Sequence, residues 1–256
     1  MTTTLQNPQL PGERFFWQAG PTGVLLCHGF TATTAEVRPL AQALFQSGYT
    51  VNAPLLPGHG VKPQDANQYT WKDWATTIAE AYTELQQSCT RIFLAGESLG
   101  GLLALYLAAN GAETAGLLLY APAIHLRSPA ASLLAPLLSP FMSTKKKPRP
   151  TPSAADLLWQ GYTVYPLKAL RQLLKFQKIT LTHLYRITQP LLIVQGRLDR
   201  SVHPDGPDQI LRNVASSDKQ IIWLEQSGHC VVLECEREQV NQLTLQFIRS
   251  HTIKSS

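Results

Sequence analysis

Three side chains in this sequence could together perform nucleophilic acyl transfer: Ser98, Asp199 and His229. A serine hydroxyl is a weak nucleophile at neutral pH, so an imidazole must take its proton and a carboxylate must orient that imidazole. Ser98 lies in GESLG at residues 96–100, which has the form G-x-S-x-G. A strand that turns at once into a helix at this motif exposes the hydroxyl. The sequence therefore predicts Ser98 as a nucleophile.

The same motif has a plainer interpretation, in which Ser98 only caps the helix that follows it. Short motifs also match by chance, and serine is a common N-cap residue. The motif alone leaves both interpretations open. The decision depends on whether a base and an acid lie where the fold would bring them to Ser98.

The elements that precede these three residues predict that they meet at one edge of a sheet. Each residue comes shortly after an apolar run typical of a buried strand, at residues 92–95, 190–195 and 220–224. In open α/β sheets, reactive groups collect at the carboxyl ends of the strands. All three residues satisfy this rule, in the chain order serine, aspartate, histidine.

The rest of the chain alternates strand and helix patterns with short connections, which indicates parallel strands joined by right-handed crossovers. Further strands are predicted at residues 23–28, 49–53 and 116–120, with a poorly patterned edge strand at 12–18. Helices are predicted from Thr33 or Thr34 to Gly48, from a capping box at 70–73 to about Gln87, after Ser98 to Asn110, and over 236–249. We predict an α/β fold with a doubly wound, mostly parallel sheet.

The strand and helix alternation stops between residues 123 and 183. Prolines, a basic run and leucines at helical spacing appear there without a strand pattern. We predict a core formed by residues 1–122 and 184–256, with a helical insertion at 123–183. The charge-free stretch 128–144 is shorter than the ~20 apolar residues of a membrane span and contains prolines, so no transmembrane segment is expected.

Other acids and histidines are weaker candidates for the acid and base. Asp205 and Asp208 also follow the strand at 190–195, but they lie near a helix start, where an acid more often caps. The remaining histidines lie on helical patterns, in the insertion, in a turn or after the wrong strand: His183, His251, His125, His203 and His59. For His28, at the end of a predicted strand, a structural role in a glycine turn is preferred to a catalytic one.

Two backbone amides are predicted to stabilise the tetrahedral oxyanion of an acyl transfer. The turn His28-Gly29-Phe30 frees the amide of Phe30, and the amide of Leu99 lies at the start of the helix after Ser98. Preorganised donors of this kind are worth roughly 3 to 4 kcal/mol of barrier each. We therefore predict Phe30 and Leu99 as the oxyanion hole.

Composition argues against several other functions. Much of the net charge of +5 comes from residues 145–149, and such a run is more often a solvated loop than a patch for anionic lipid or nucleic acid. No zinc spacing and no G-x-G-x-x-G motif is present, so neither a metal nor another cofactor is expected. Residues 1–11 lack a signal-peptide pattern, which makes a cytoplasmic protein the default expectation.

The cysteines are interpreted as thiols. Cys27, Cys89, Cys230 and Cys235 show no C-x-x-C spacing, and a chain of this length does not need disulfides to fold. Two of them, Cys27 and Cys230, stand beside histidines in the predicted site loops. We interpret these two as small apolar packing residues rather than a redox switch, because buried cysteines usually pack in this way.

Six segments carry a resemblance to a known family over nearly the whole chain: LLCHGFTATTAEVRPLAQAL, GYTVNAPLLPGHG, WKDW, GESLGGLLALYLA, PLLIVQGRLDRSVHP and EQSGHCVVLECEREQV. Together they resemble the α/β-hydrolase superfamily and, within it, the small bacterial carboxylesterases and monoacylglycerol lipases. The resemblance implies that Ser98 is the acylated nucleophile, His229 the general base and acid, and Asp199 its orienting carboxylate. It also implies an oxyanion hole formed by Phe30 and Leu99.

The resemblance further implies that residues 123–183 form a small helical cap over the acyl pocket. The proline-broken run LLAPLL at residues 133–138 suits either a lid that faces an acyl chain or ordinary cap core. Glu97 departs from the family pattern, in which many relatives carry an apolar residue or histidine beside the nucleophile. If it is buried, its carboxylate needs a partner or a raised pKa.

The leading hypothesis is a serine hydrolase that cleaves carboxylic esters, with short to medium acyl chains or monoacylglycerols as substrates, through an acyl-enzyme on Ser98. A small-molecule ester is the expected partner and nucleic acid is not, while membrane-surface contact through the cap and the oligomeric state stay open. If His229 is the base, activity should rise with pH near the free-imidazole value of about 6.5.

Two alternatives remain at this point. One is a ligand-binding protein on the same fold, with slow or no turnover. The other is a hydrolase that acts on amide or C–C bonds, or a peroxide activity, with the same three residues, which analogy at the level of the fold does not exclude.

Overall fold

A computed structural model describes residues 5–127, 137–147 and 153–252 of the chain. Its strands, in chain order, are β1 (Leu5–Gln6), β2 (Phe15–Trp17), β3 (Thr22–Cys27), β4 (Thr50–Ala53), β5 (Arg91–Glu97), β6 (Gly116–Tyr120), β7 (Thr144–Lys146), β8 (Gly161–Tyr162), β9 (Val164–Pro166), β10 (Leu191–Gly196) and β11 (Lys219–Leu224). Seven of them form a central sheet in the order β11-β10-β6-β5-β3-β4-β2. Its neighbouring strands are parallel except for β2, which pairs antiparallel with β4 at the edge.

The helices are α1 (Arg38–Gln46), α2 (Pro63–Ala66), α3 (Trp71–Gln86), α4 (Leu99–Ala109), α5 (Leu167–Leu181), α6 (Gly206–Asn213) and α7 (Arg237–Thr252). The predicted capping box is present at the start of α3, where the Thr70 amide donates to Asp73 Oδ2 at 2.7 Å. The first helix begins later than predicted. A 3-10 turn at Thr34–Glu36 comes before it, and Pro39 then occupies the first turn of α1, the one part of a helix that proline favours.

The central sheet carries helices on both faces, so the predicted doubly wound, mostly parallel arrangement is confirmed. Strands β3, β6 and β10 are buried along their whole length, which explains why they appear in the sequence as continuous apolar runs. The apolar side chains of α3 and α4 join the core on one face, and those of α1 and α7 join the core on the other. Because the paired strands β4, β3, β5, β6, β10 and β11 run parallel, their carboxyl ends lie at the same edge of the sheet.

The insertion differs in detail from the sequence prediction. Helix α5 is present as expected, and its Phe176 ring stacks on Trp71 of α3 at 5.4 Å between ring centroids. The expectation that no strand occurs there is wrong, because β7 pairs with β9 and β8 pairs with β1 at the N-terminus. Strands of two or three residues are too short to give a period-two pattern. The division into a core and a cap at residues 123 and 183 stays a prediction.

Two further segments bear on the sequence analysis. Of the apolar run at 133–138, only Leu137 and Leu138 belong to the described residues, so the lid interpretation lies largely outside them. Of the basic run at 145–149, Lys145 and Lys146 are exposed as predicted, but they belong to strand β7 and not to a loop, and Lys147 is half-buried. Among the described helices, none is long and apolar enough to cross a membrane.

Candidate active site

Ser98 sits on the sharp turn between β5 and α4 that the glycine motif predicts. Its backbone has φ 54° and ψ −108°, a region that non-glycine residues rarely adopt and that costs on the order of 1–3 kcal/mol. The turn requires glycine on both sides. A Cβ at Gly96 would lie 2.2 Å from the carbonyl carbon of Gly100, and one at Gly100 would lie 2.2 Å from the carbonyl oxygen of Cys27. Close backbone approach therefore fixes the residue types around the serine.

A continuous chain of hydrogen bonds joins the three residues that the sequence singles out. His229 Nε2 lies 3.0 Å from Ser98 Oγ, and His229 Nδ1 lies 2.8 Å from Asp199 Oδ2. Because the carboxylate can only accept, Nδ1 carries the proton and Nε2 is left free to accept one from the serine. This arrangement can deprotonate a hydroxyl as it attacks a carbonyl.

The carboxylate of Asp199 is held by donors on both of its oxygens. The amides of Ser201 and Val202 donate to Oδ1 at 2.7 and 3.0 Å, and Gln195 Nε2 donates to Oδ2 at 2.8 Å. Burial raises the pKa of Asp199, but the charge and hydrogen bond of His229 and the amides of Val202 and Ser201 outweigh burial, so the net pKa is lowered. The carboxylate therefore stays ionised when it faces the imidazole.

The imidazole of His229 has a raised pKa. Burial alone lowers it, but the nearby carboxylate of Asp199 more than compensates, and the charge of Glu36 acts in the same direction. Lys147 opposes this effect from the insertion. His229 is thus flanked by two carboxylates, of which only Asp199 contacts it directly.

The amides of Phe30 and Leu99 are free to bind a ligand oxygen. Within the described residues, neither amide donates a hydrogen bond to a protein acceptor. Leu99 is the first residue of α4, where orphan amides point outward, and Phe30 follows the glycine turn after β3. The role of these amides as an oxyanion hole stays a prediction.

Glu36 is a functional candidate that the sequence analysis missed. Its buried carboxylate accepts the Gly29 amide on Oε2 at 2.6 Å and Trp159 Nε1 on Oε1 at 2.9 Å. Cys230 Sγ also points at Oε1, at 3.7 Å. Burial raises the pKa of Glu36, and these donors and the charge of His229 only partly oppose it. The Glu36 carboxylate thus contacts three separate segments. These are the turn before Phe30, the insertion at Trp159, and Cys230, which follows His229.

The insertion is joined to the same turn by backbone hydrogen bonds. The Tyr162 amide donates to the Thr31 carbonyl at 2.9 Å, and the Thr33 amide donates to the Gln160 carbonyl at 3.1 Å. Thr33 Oγ1 also donates to the side chain of Gln160 at 2.8 Å. Residues 159–162 therefore form a seam along the loop that carries the Phe30 amide.

Lys147 corrects the prediction that the whole basic run is solvated. Its ammonium donates to Thr31 Oγ1 at 2.5 Å and lies over the rings of Trp159 and Tyr165 at 4.9 and 5.1 Å. Burial lowers the pKa of Lys147 to about 8. The sequence of the basic run does not show that Lys147 turns inward over Trp159 and Tyr165, because both rings are distant from it in sequence.

The contacts of His28 fit the structural role preferred for it. Its Nε2 accepts the Leu56 amide at 3.1 Å, which leaves the Nδ1 proton to donate to the Gly29 carbonyl at 2.9 Å. Burial, with a contribution from His59, lowers its pKa to about 3, so the ring stays neutral. Of the alternative acids, Asp205 is the N-cap residue of α6 and Asp208 lies in its first turn, as expected of acids near a helix start.

Glu97 is fully buried, and its carboxylate oxygens make no close hydrogen bond among the described residues, although the nearby Val232 backbone opposes part of the rise in its pKa. Burial raises its pKa well above the usual range, and the charges of Glu36 and Asp199 add to the effect. Burial therefore favours the neutral form of this side chain, which lies behind the Ser98 turn. Burial likewise raises the pKa values of Cys27 and Cys230, which fits their interpretation as packing residues.

Comparison with known proteins agrees with this geometry. The model of the alpha/beta hydrolase family matches residues 24–243, which is most of the chain. The chain belongs to this family. It is 35% identical over 252 residues to a thermostable monoacylglycerol lipase from Bacillus sp. (strain H-257), covering 96% of this chain and 98% of that protein. It is 30% identical over 235 residues to a carboxylesterase from Bacillus subtilis (strain 168), covering 91% and 95%.

A solved structure from a study of two metagenome-derived lipolytic enzymes superposes on this alpha/beta hydrolase with a TM-score of 0.89. The two are 31% identical, and the match covers 94% of this chain and 99% of the other. The family resemblance predicted from the sequence is thereby confirmed. This member of the alpha/beta hydrolase family is an ester hydrolase.

Proposed function

We propose that this alpha/beta hydrolase cleaves carboxylic esters through an acyl-enzyme on Ser98. The observation that carries the proposal is the hydrogen-bonded chain from Ser98 Oγ through His229 to Asp199, at the carboxyl edge of the sheet. The same three groups in contact perform acyl transfer on several unrelated folds, so their geometry supports the proposal independently of the fold. The free amides of Phe30 and Leu99 support the proposal because the reaction develops negative charge on oxygen.

The reaction proceeds in two halves. Ser98 Oγ attacks the ester carbonyl carbon while its proton passes to His229 Nε2, and the amides of Phe30 and Leu99 stabilise the oxyanion. The tetrahedral intermediate collapses, and the leaving alcohol takes the proton from His229. Water then attacks the acyl-enzyme by the same route, giving the carboxylic acid and free Ser98. Asp199 orients the imidazole and stabilises its cation throughout.

We propose monoacylglycerols and short to medium acyl esters as the substrate class. Support comes from the two relatives above, one named a monoacylglycerol lipase and the other a carboxylesterase. The test is a panel of p-nitrophenyl esters from acetate to palmitate, with monoacylglycerols and matched amides run beside it. We expect turnover of esters and monoacylglycerols at rates far above those of the amides.

A fluorophosphonate probe distinguishes this proposal from ligand binding without turnover. We expect covalent labelling of Ser98, located by mass spectrometry, and loss of ester turnover in proportion to labelling. Labelling without multiple ester turnovers would instead support a binding protein on this fold. Faster cleavage of the amides would support an amide hydrolase.

The pH dependence of kcat/KM tests His229 as the general base. The imidazolium cannot accept the proton of Ser98, so activity rises as pH increases through the pKa of His229. Because the net pKa of His229 is raised from 6.5, the rise in activity on the acid side of the profile should be centred above pH 6.5. This is a higher pH than the sequence alone predicts. Rates measured between about pH 5 and pH 9 check this. A flat profile, or a limb below 6.5, would contradict the assignment.

A further inference from the structure

A second cluster of ligating side chains lies on the surface, outside the Ser98 site. It contains two imidazoles and one carboxylate, from His125, His203 and Asp205. One ligand atom from each lies within 4.8 Å of the other two, and His125 and Asp205 are exposed. The two rings stack at 4.6 Å between centroids, with 20° between their planes, and His203 Nδ1 contacts Asp205 Oδ1.

The backbone brings these side chains together. The His203 amide donates to the His125 carbonyl at 2.8 Å, and the next residues along, Leu126 and Val202, form an antiparallel bridge. The Arg127 amide continues the pairing. The backbone pairing of residues 125–127 with residues 201–203 therefore holds the two histidines next to each other.

We propose that His125, His203 and Asp205 form a binding site for a zinc-like divalent transition-metal ion. Two imidazole nitrogens and one carboxylate oxygen are the donors that Zn²⁺, Co²⁺ and Ni²⁺ accept, whereas Mg²⁺ and Ca²⁺ prefer oxygen ligands alone. Three protein ligands leave a position for water. At metal–ligand distances of about 2.1 Å, ligands of a tetrahedral ion lie about 3.4 Å apart. These partly exposed side chains must therefore adjust: the His203–Asp205 contact must open, and any wider separation, which is at most 4.8 Å, must close.

The site lies between the loop that follows Asp199 and the segment that leads from β6 into the insertion. His203 and Asp205 follow closely after Asp199, whose Oδ1 accepts the amides of Ser201 and Val202. His125 lies in the segment that leads from β6 into the insertion. A bound ion would hold the Asp199 loop against the start of the insertion, and so stabilise the folded protein in proportion to its occupancy.

Metal titration of the full-length protein, free of an affinity tag and stripped with a chelator, tests the site. We expect Zn²⁺ to bind with one-to-one stoichiometry by calorimetry and to raise Tm by several degrees. His203→Ala and His125→Ala should each weaken the affinity by at least about tenfold. Co²⁺ should give a visible absorption change in the wild-type protein that both variants lose.

The chain offers a matched control. His251 Nε2 pairs with Asp218 Oδ2 at 3.0 Å, which is a surface histidine and aspartate pair outside the cluster. His251→Ala should therefore leave the Zn²⁺ affinity and the Co²⁺ spectrum unchanged. The proposal is overturned if His125→Ala and His203→Ala bind Zn²⁺ as tightly as the wild type, or if His251→Ala weakens binding equally. Near wild-type ester turnover without metal would show that the variants fold.

Discussion

Replacement of Ser98 by alanine is expected to lower the turnover of p-nitrophenyl esters by roughly 10⁴- to 10⁶-fold. In the proposed mechanism the Ser98 hydroxyl oxygen is the atom that becomes acylated, and among the described residues it is the hydroxyl that hydrogen-bonds to His229 Nε2. Steady-state rates measured with the same ester for both proteins check the expectation. Retained activity would mean that the acyl-enzyme proposal is wrong.

The Ser98→Ala variant should fold normally. Alanine meets the same backbone restriction at φ 54° as serine does, so the substitution adds little strain. Circular dichroism and Tm should match those of the wild type. Ser47→Ala is a suitable control, because Ser47 lies at the exposed end of α1 and, among the described residues, hydrogen-bonds to its own helix alone. Its ester turnover should be unchanged.

Replacement of Glu36 by glutamine is expected to lower kcat by about 10- to 100-fold, with a smaller effect on KM. The carboxylate accepts from the Gly29 amide on one oxygen and from Trp159 Nε1 on the other. A glutamine side chain has one acceptor oxygen and one NH₂ group, so one of these buried donors would face another donor. The turn that presents the Phe30 amide would then shift.

A second substitution makes this prediction specific. Trp159→Phe removes the indole donor, so that in the Glu36→Gln/Trp159→Phe double variant the amide oxygen can accept from Gly29 without conflict at the other end. We expect the double variant to recover much of the kcat that Glu36→Gln loses. A double-mutant cycle on kcat, with Tm as the measure of folding, checks this. If the double variant lost as much log kcat as the two single variants together, the proposed role of Glu36 would be contradicted.

The residues of the hydrogen-bonded chain could be predicted from sequence because each depends on local signals. Ser98 lies in a glycine motif, and Asp199 and His229 come shortly after apolar strands. The parallel order of the strands then places all three at one edge, since β5, β6, β10 and β11 are neighbours in the sheet. Strand patterns and a topological rule were sufficient, without knowledge of any side-chain contact.

Glu36 could not be predicted in the same way, because its partners are distant in sequence. TTAE at residues 33–36 has the form of a capping box, which would assign Glu36 to the Thr33 amide. In the structure that amide donates to Gln160, and Glu36 turns to Gly29 and Trp159 instead. Lys147 is a similar case, since only the fold brings it to Thr31.

The hydrogen bonds made by the seam at residues 159–162 limit how the insertion can be exchanged between members of this family. The insertion does not rest on the core as an independent module, because Trp159 hydrogen-bonds to Glu36 and Gln160 pairs with Thr33. A chimaera that receives the insertion of another hydrolase would lose these partners and with them the support of the Phe30 turn. In the proposed cap arrangement, a graft that exchanges acyl preference and keeps the rate must therefore carry both sides of the seam.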